Sequence, residues 1–180
     1  MQDELSLVSQ AQQGNKEAFA QLYENYFNKI YRYVVLKMGN RTEAEDVTQQ
    51  VFLKALKSIY SFKWRGTPFS AWLFRIAHNL VVDHLRKSSK VVMTPLYESL
   101  PSSDGNPFLI TESRLDIERL RSATKQLTKA QQEVISLRFA ADLSVAETAK
   151  AIGKSEGAVK ALQHSATVAL RKVLLVGQEQ

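Results

Sequence analysis

Val145-Ala-Glu-Thr-Ala149-Lys-Ala-Ile152-Gly153-Lys-Ser155-Glu-Gly-Ala-Val159-Lys-Ala-Leu162 decides the fold. It reads as a helix-turn-helix. Ala149 is small, so a second helix can approach closely. Ile152 ends the first helix on its apolar side. Gly153 stands where the tight turn needs a left-handed backbone, which glycine adopts without a Cβ penalty. Ser155 suits the cap of the next helix. Val159 and Leu162 then face inward at helical spacing. An ordinary helical hairpin is the plainer reading. A unit of this kind otherwise lays its second helix in the major groove of DNA.

Helical periodicity extends outward from this stretch in both directions, and strand signals are almost absent. The fold class expected is all-α: two small helical domains joined by a flexible linker, the second a helix-turn-helix domain. Pro95, Pro101 and Pro107 fall among Ser99, Ser102, Ser103, Asp104, Gly105 and Asn106, which is linker composition. The expected division is 1–90, a linker over 91–111, and 112–180. In the first block, helices are expected from Leu5 to Gln13 and from Lys16 to Met38, the latter stopped by Gly39 and Asn40. Thr42 with Glu45 predicts a capping box for a helix reaching Tyr60, with Val47, Val51, Phe52, Ala55, Leu56 and Ile59 on its apolar face. A loop over Ser61–Pro68 precedes a last helix from Phe69 to about Lys87. In the second block, Thr111 to Lys125 is expected helical, Thr128 caps Lys129 to Ala140, and the recognition helix runs on toward Leu175.

The 180 residues carry a formal charge of +6, which suits a polyanionic partner such as nucleic acid and also a membrane surface. There is no cysteine, so disulfides, thiolate metal sites and cysteine nucleophiles are excluded. No apolar run is long enough to span a bilayer, and the opening Met-Gln-Asp-Glu lacks a basic signal-peptide start. A cytoplasmic protein without membrane insertion is expected. The three histidines, His78, His84 and His164, stand in unrelated settings, and His78 and His84 read as surface residues rather than catalysts. No nucleophile–base pair or metal-ligand constellation is found, so no catalytic residue, metal or cofactor is expected and the chain is not read as an enzyme.

Two further stretches carry a family resemblance. Thr42-Glu-Ala-Glu-Asp46-Val-Thr-Gln49-Gln50-Val-Phe52 resembles the polymerase-binding helix of sigma-70 factors. Phe69-Ser-Ala-Trp72-Leu-Phe-Arg75-Ile76-Ala77-His-Asn79-Leu-Val-Val-Asp83-His-Leu-Arg86 resembles their promoter-melting helix. The helix-turn-helix is similar to their upstream-element reader. Order, linker and the lack of an intervening domain resemble the extracytoplasmic-function (ECF) group. This chain departs from the family in carrying Gln50 where an acid is usual, and Ser165 and Thr167 where many members have arginine. Nothing long comes after Leu175, so a C-terminal regulatory domain is not expected.

The resemblance implies a sigma factor whose partners are core RNA polymerase, promoter DNA and an anti-sigma factor. Asp46, Gln49, Gln50 and Phe52 would bind polymerase, acids and amides suiting a basic partner. Phe62, Lys63, Trp64, Arg65, Arg75, Asn79, Asp83 and Arg86 would meet the −10 element. There aromatic faces stack on unpaired bases at about 1–3 kcal/mol each while cations track the phosphates. Asn79 would read an extruded base, and the alternative role for Asp83 is to orient its neighbours. Trp72 and Ile76 read as partly core. Ser155, Glu156, Ala158, Lys160, Gln163, His164 and Arg171 would meet the −35 duplex. Early residues such as Glu156 would reach bases, while Lys160 and Arg171 would hold phosphates. Arg171 equally suits a helix C-terminus. The rival reading is a self-sufficient helix-turn-helix regulator with an N-terminal helical sensor or dimerisation domain. A double-strand reader has no need of the aromatic-basic loop over 62–69.

Overall fold

The computed structural model describes residues 3–90 and 122–176, with side chains over 3–88 and 122–173. The expected linker over 91–111 and the helix start at Thr111 lie outside the described residues. Within them every regular element is helical. In chain order these are α1 (Glu4–Gln12), α2 (Lys16–Met38), α3 (Arg41–Ser58), a 3-10 turn (Ile59–Ser61), α4 (Phe69–Lys90), α5 (Lys129–Ile135), α6 (Val145–Ile152) and α7 (Glu156–Val176). Among the described residues, no helix is long and apolar enough to cross a membrane.

In the first block α2 is the spine, packing on α1, α3 and α4. Its start is capped by Asn15, whose side chain accepts from the Ala18 amide at 3.1 Å. At its end Gly39 turns left-handed, with φ 74°. That turn leaves Asn40 extended, and the Asn40 side chain accepts from the Glu43 amide at 3.2 Å. Asn40 therefore caps α3, and the expected Thr42–Glu45 box does not form because Thr42 already lies in the first turn. Ile30, Tyr33, Val34, Val47, Val51, Phe69, Leu73 and Phe74 fill the interior. Each such apolar side chain contributes about 1.5–3 kcal/mol by leaving water. Leu56, expected on the apolar face of α3, is instead exposed, because that face is closed by Val51, Phe52 and Ala55.

In the second block Thr128 and Gln131 form a reciprocal capping box at α5. The expected α-helix to Ala140 stops at Ile135 and widens to a π-turn over Ser136–Ala140. Its closing bond runs from the Ala141 amide to the Ser136 carbonyl at 3.1 Å. The extra residue in such a turn rotates the downstream side chains to a new face. Val134 packs with Ala149 and Val159, and Ile135 with Leu127 and Ala166, in two small clusters of the second block, whereas Leu137, Ala141 and Leu143 join the interior of the first block. The blocks thus pack together, α6 against α4 and the π-turn against α2. Ser144 caps α6 through a box with Glu147, and Gly153 closes it left-handed at φ 67°.

Candidate nucleic-acid interface

The helix-turn-helix is built as its residues dictate. Gly153 makes the turn, and the Ser155 hydroxyl accepts from the Ala158 amide at 3.2 Å, capping α7. Val159 is fully buried, and Leu162 packs beside it. Ser155, Glu156, Lys160, His164 and Arg171 are exposed, and Ala158 is half-buried. Gln163 is drawn sideways: its side-chain oxygen accepts from Arg138 Nε at 2.9 Å. Arg138 also donates to the Leu143 carbonyl. One arm of the Gln163 amide is therefore committed within the block.

On α4, Arg75, Asn79, Asp83 and Arg86 recur at helical spacing on the exposed face, together with Val82. Arg86 donates to Asp83 at 3.2 Å, so Asp83 orients a neighbouring cation. Trp72 and Ile76 are half-buried against the core. Arg75 is not free. Its guanidinium donates to the Lys150 carbonyl of α6 at 2.7 Å.

The loop before α4 is divided. Phe62 is buried, its ring edge-on to Phe69 and Trp64, both at 5.7 Å. Its ring is therefore a pedestal, and the exposed groups are Lys63, Trp64 and Arg65. Gly66 turns the chain at φ 68°. A residue without any sequence signal anchors the loop's base: Gln12 of α1 donates to the carbonyls of Ile59 at 2.9 Å and Phe62 at 2.8 Å.

On α3, Asp46, Gln49 and Gln50 are exposed in one polar row with Glu43, Lys54 and Lys57. Phe52 faces the other way. It is buried and packs on Tyr23, ring centres 4.7 Å apart, so it supports the helix from behind. The row continues into exposed Leu53, Leu56 and Tyr60.

A second group that sequence reasoning misses joins the blocks. Glu133 of α5 is buried. Lys37 Nζ lies 2.6 Å from its Oε2, the Tyr33 hydroxyl donates to Oε1 at 2.7 Å, and His78 Nδ1 lies 2.9 Å from the same oxygen. His78 is thus part of an interface, not a simple surface residue. Burial pushes the Glu133 carboxyl up, but His78 and Lys37 outweigh it and hold the group at about 2. Nearby, Glu147 uses one oxygen for its cap and accepts from the Ser70 hydroxyl of α4 with the other.

Comparison with known proteins accounts for both blocks. Residues 22–91 match the family model for sigma-70 region 2, and residues 123–172 match that for sigma-70 region 4. The chain is similar to the ECF RNA polymerase sigma factor BldN of Streptomyces coelicolor, 40% identical over 172 residues. That match covers 94% of this chain but 65% of BldN. It is 30% identical to the ECF sigma factor SigW of Bacillus subtilis, over 93% of this chain and 94% of SigW. Among solved structures it resembles CnrH in complex with the cytosolic domain of CnrY, with a TM-score of 0.73, 26% identity and 97% of each chain covered. It also resembles RpoE in complex with the anti-sigma factor NepR from Bartonella quintana, with a TM-score of 0.66, 25% identity, and 88% of this chain and 97% of that one covered. The regulator reading leaves the region 2 match without a role.

Proposed function

The chain belongs to the ECF group of RNA polymerase sigma factors, and from that premise we propose how its surfaces divide the work. The exposed row Asp46, Gln49 and Gln50 docks core polymerase, with Phe52 holding the helix from behind. Lys63, Trp64 and Arg65, with Arg75, Asn79, Asp83 and Arg86, engage the −10 element, and Phe62 supports the loop from below. The exposed start of α7 enters the −35 duplex, with Ser155, Glu156 and Ala158 nearest the bases. Lys160, His164 and Arg171 continue along the helix toward the phosphates, and Gln163 braces Arg138. The chain acts with polymerase in the cytoplasm, carries no active site of its own, and is restrained by an anti-sigma protein. The observation that carries this reading is the pairing of both sigma-70 regions, in order, on one chain.

Runoff transcription with core polymerase on a pool of promoter fragments tests it. Discrete transcripts are expected with the chain and not without it. Asp46→Arg with Gln49→Ala should lower polymerase affinity about tenfold or more while helical content stays unchanged. Undiminished pull-down by that variant would remove α3 from the docking assignment.

A further inference from the structure

We propose that α1 splints the loop over 62–69, and that Gln12 is the positioning residue through which it holds Trp64 and the flanking cations ready for the −10 element. The use of the loop on DNA rests on the function proposed above; the splint itself does not. The Gln12 side-chain amide has two N–H donors, and both are engaged. One meets the Ile59 carbonyl at 2.9 Å and the other the Phe62 carbonyl at 2.8 Å. These two carbonyls bracket the 3-10 turn that follows α3, where a helix end leaves acceptors without intrahelical donors. The Ile59 carbonyl also accepts from the Phe62 amide at 3.0 Å, so that amide and Gln12 together lock the turn from which the loop departs.

The far end of the loop is tied to the other end of the same helix. Phe69, the first residue of α4, is edge-on to Tyr26 at 5.6 Å, and the Tyr26 hydroxyl donates to Glu4. Glu4 and Gln12 are the first and last residues of α1. They stand about 12 Å apart along its axis. Between them Leu7, Val8 and Ala11 are buried in the first block, so moving α1 would expose them to water. Trp64 lies two residues past Phe62, whose ring packs on Trp64, Phe69 and Trp72 at 5.7, 5.7 and 5.2 Å. A loop held at both ends has little freedom left to lose when it takes up a base, and such pre-organisation favours binding. Gln12 therefore acts through the loop backbone rather than on the DNA.

Three substitutions separate hydrogen bonding from bulk. Gln12→Met keeps the length and loses both donors. Gln12→Glu keeps the shape and sets a carboxylate against two carbonyls. Gln12→Lys keeps the donors. The chain has two tryptophans, so Trp72→Phe leaves Trp64 as the reporter, and its nanosecond anisotropy in the full chain follows loop motion. In that background the amplitude of motion should rise about twofold for Gln12→Met and Gln12→Glu and stay near the parent for Gln12→Lys, with helical content unchanged. In chains that keep Trp72, runoff transcription with core polymerase should fall about tenfold on closed duplex for Gln12→Met and Gln12→Glu. On a mismatched bubble the loss should be below about threefold, and Gln12→Lys should restore closed-duplex transcription. Trp64 motion unchanged in both donor-less variants, or a loss that Gln12→Lys shares, overturns the splint. Equal losses on the two templates overturn the positioning role and leave Gln12 as general support for the fold. Trp64 freed by Gln12→Met and Gln12→Glu, but no transcript from the parent on any template, leaves the splint standing and sinks the promoter function.

Discussion

Glu133 should contribute to the acid sensitivity of the molecule. Its carboxyl sits at about 2 in the folded chain against an ordinary 4.5. A depressed carboxyl contributes stability that is fully present above its unfolded value and lost as pH falls through the folded one. The loss should therefore run from about pH 4.5 down to about pH 2, and amount to roughly 3 kcal/mol. Thermal melting across that range should show a steep decline for the parent chain and a shallower one for Glu133→Gln. Equal slopes would mean that other carboxylates dominate. At the loop, the roles of Trp64 and Asn79 should separate by template. Unpairing costs a few kcal/mol, and a pre-opened bubble removes that cost. Trp64→Ala and Asn79→Ala should both impair runoff transcription from closed duplex, on the order of tenfold or more. On a mismatched bubble Trp64→Ala should recover more than Asn79→Ala, whose proposed task begins once the base is exposed. If both variants match the parent on closed duplex, this loop does not open DNA.

Two glycines only four residues apart should respond oppositely to alanine. Gly153 is left-handed at φ 67° with nothing within 4 Å of an added Cβ, so Gly153→Ala meets strain without a clash. A loss of about 1–2 kcal/mol is expected. Gly157 lies inside α7, where the nearest atom to an added Cβ is 4.0 Å away. Gly157→Ala should gain about 0.5–1 kcal/mol from a less flexible unfolded chain. Urea titrations of both variants check the pair, and a loss at both positions would contradict the helical placement of Gly157. The contrast also explains what the sequence can convey. The turn at Gly153, the Ser155 cap and the Thr128 box are local, and spacing alone reveals them. At the start of α3 two local candidates compete, and only the backbone after Gly39 selects Asn40 over Thr42. Period alone puts Phe52 and Leu56 on one face, but neighbouring elements decide which flank of α3 closes. The Glu133 cluster joins residues 96 and 100 apart in sequence, so no spacing rule reaches it. The same holds for Gln12, which bonds carbonyls 47 and 50 residues away.

For the whole molecule, the exposed cations of α7, placed on the phosphates in the proposed function, should set the response to salt. Binding of the upstream duplex should weaken steeply as salt rises, because each phosphate contact releases counterions. Arg171→Ala should lower affinity evenly across sequences and reduce the salt slope by about 1, whereas Glu156→Ala should change preference at one or two base pairs. Fluorescence anisotropy over a salt series with matched and mismatched duplexes separates the two. If the two variants behave alike on every sequence, the split between base and phosphate contacts fails. The Gln12 brace has a consequence for how the protein is handled. The side chain that anchors the proposed melting loop comes from the first helix, close to the start of the chain. Clipping that helix, or crowding it with a bulky fusion, would loosen a loop some fifty residues downstream. A batch nicked by protease near its start could then keep its helical spectrum and its grip on polymerase, yet fail on closed promoters.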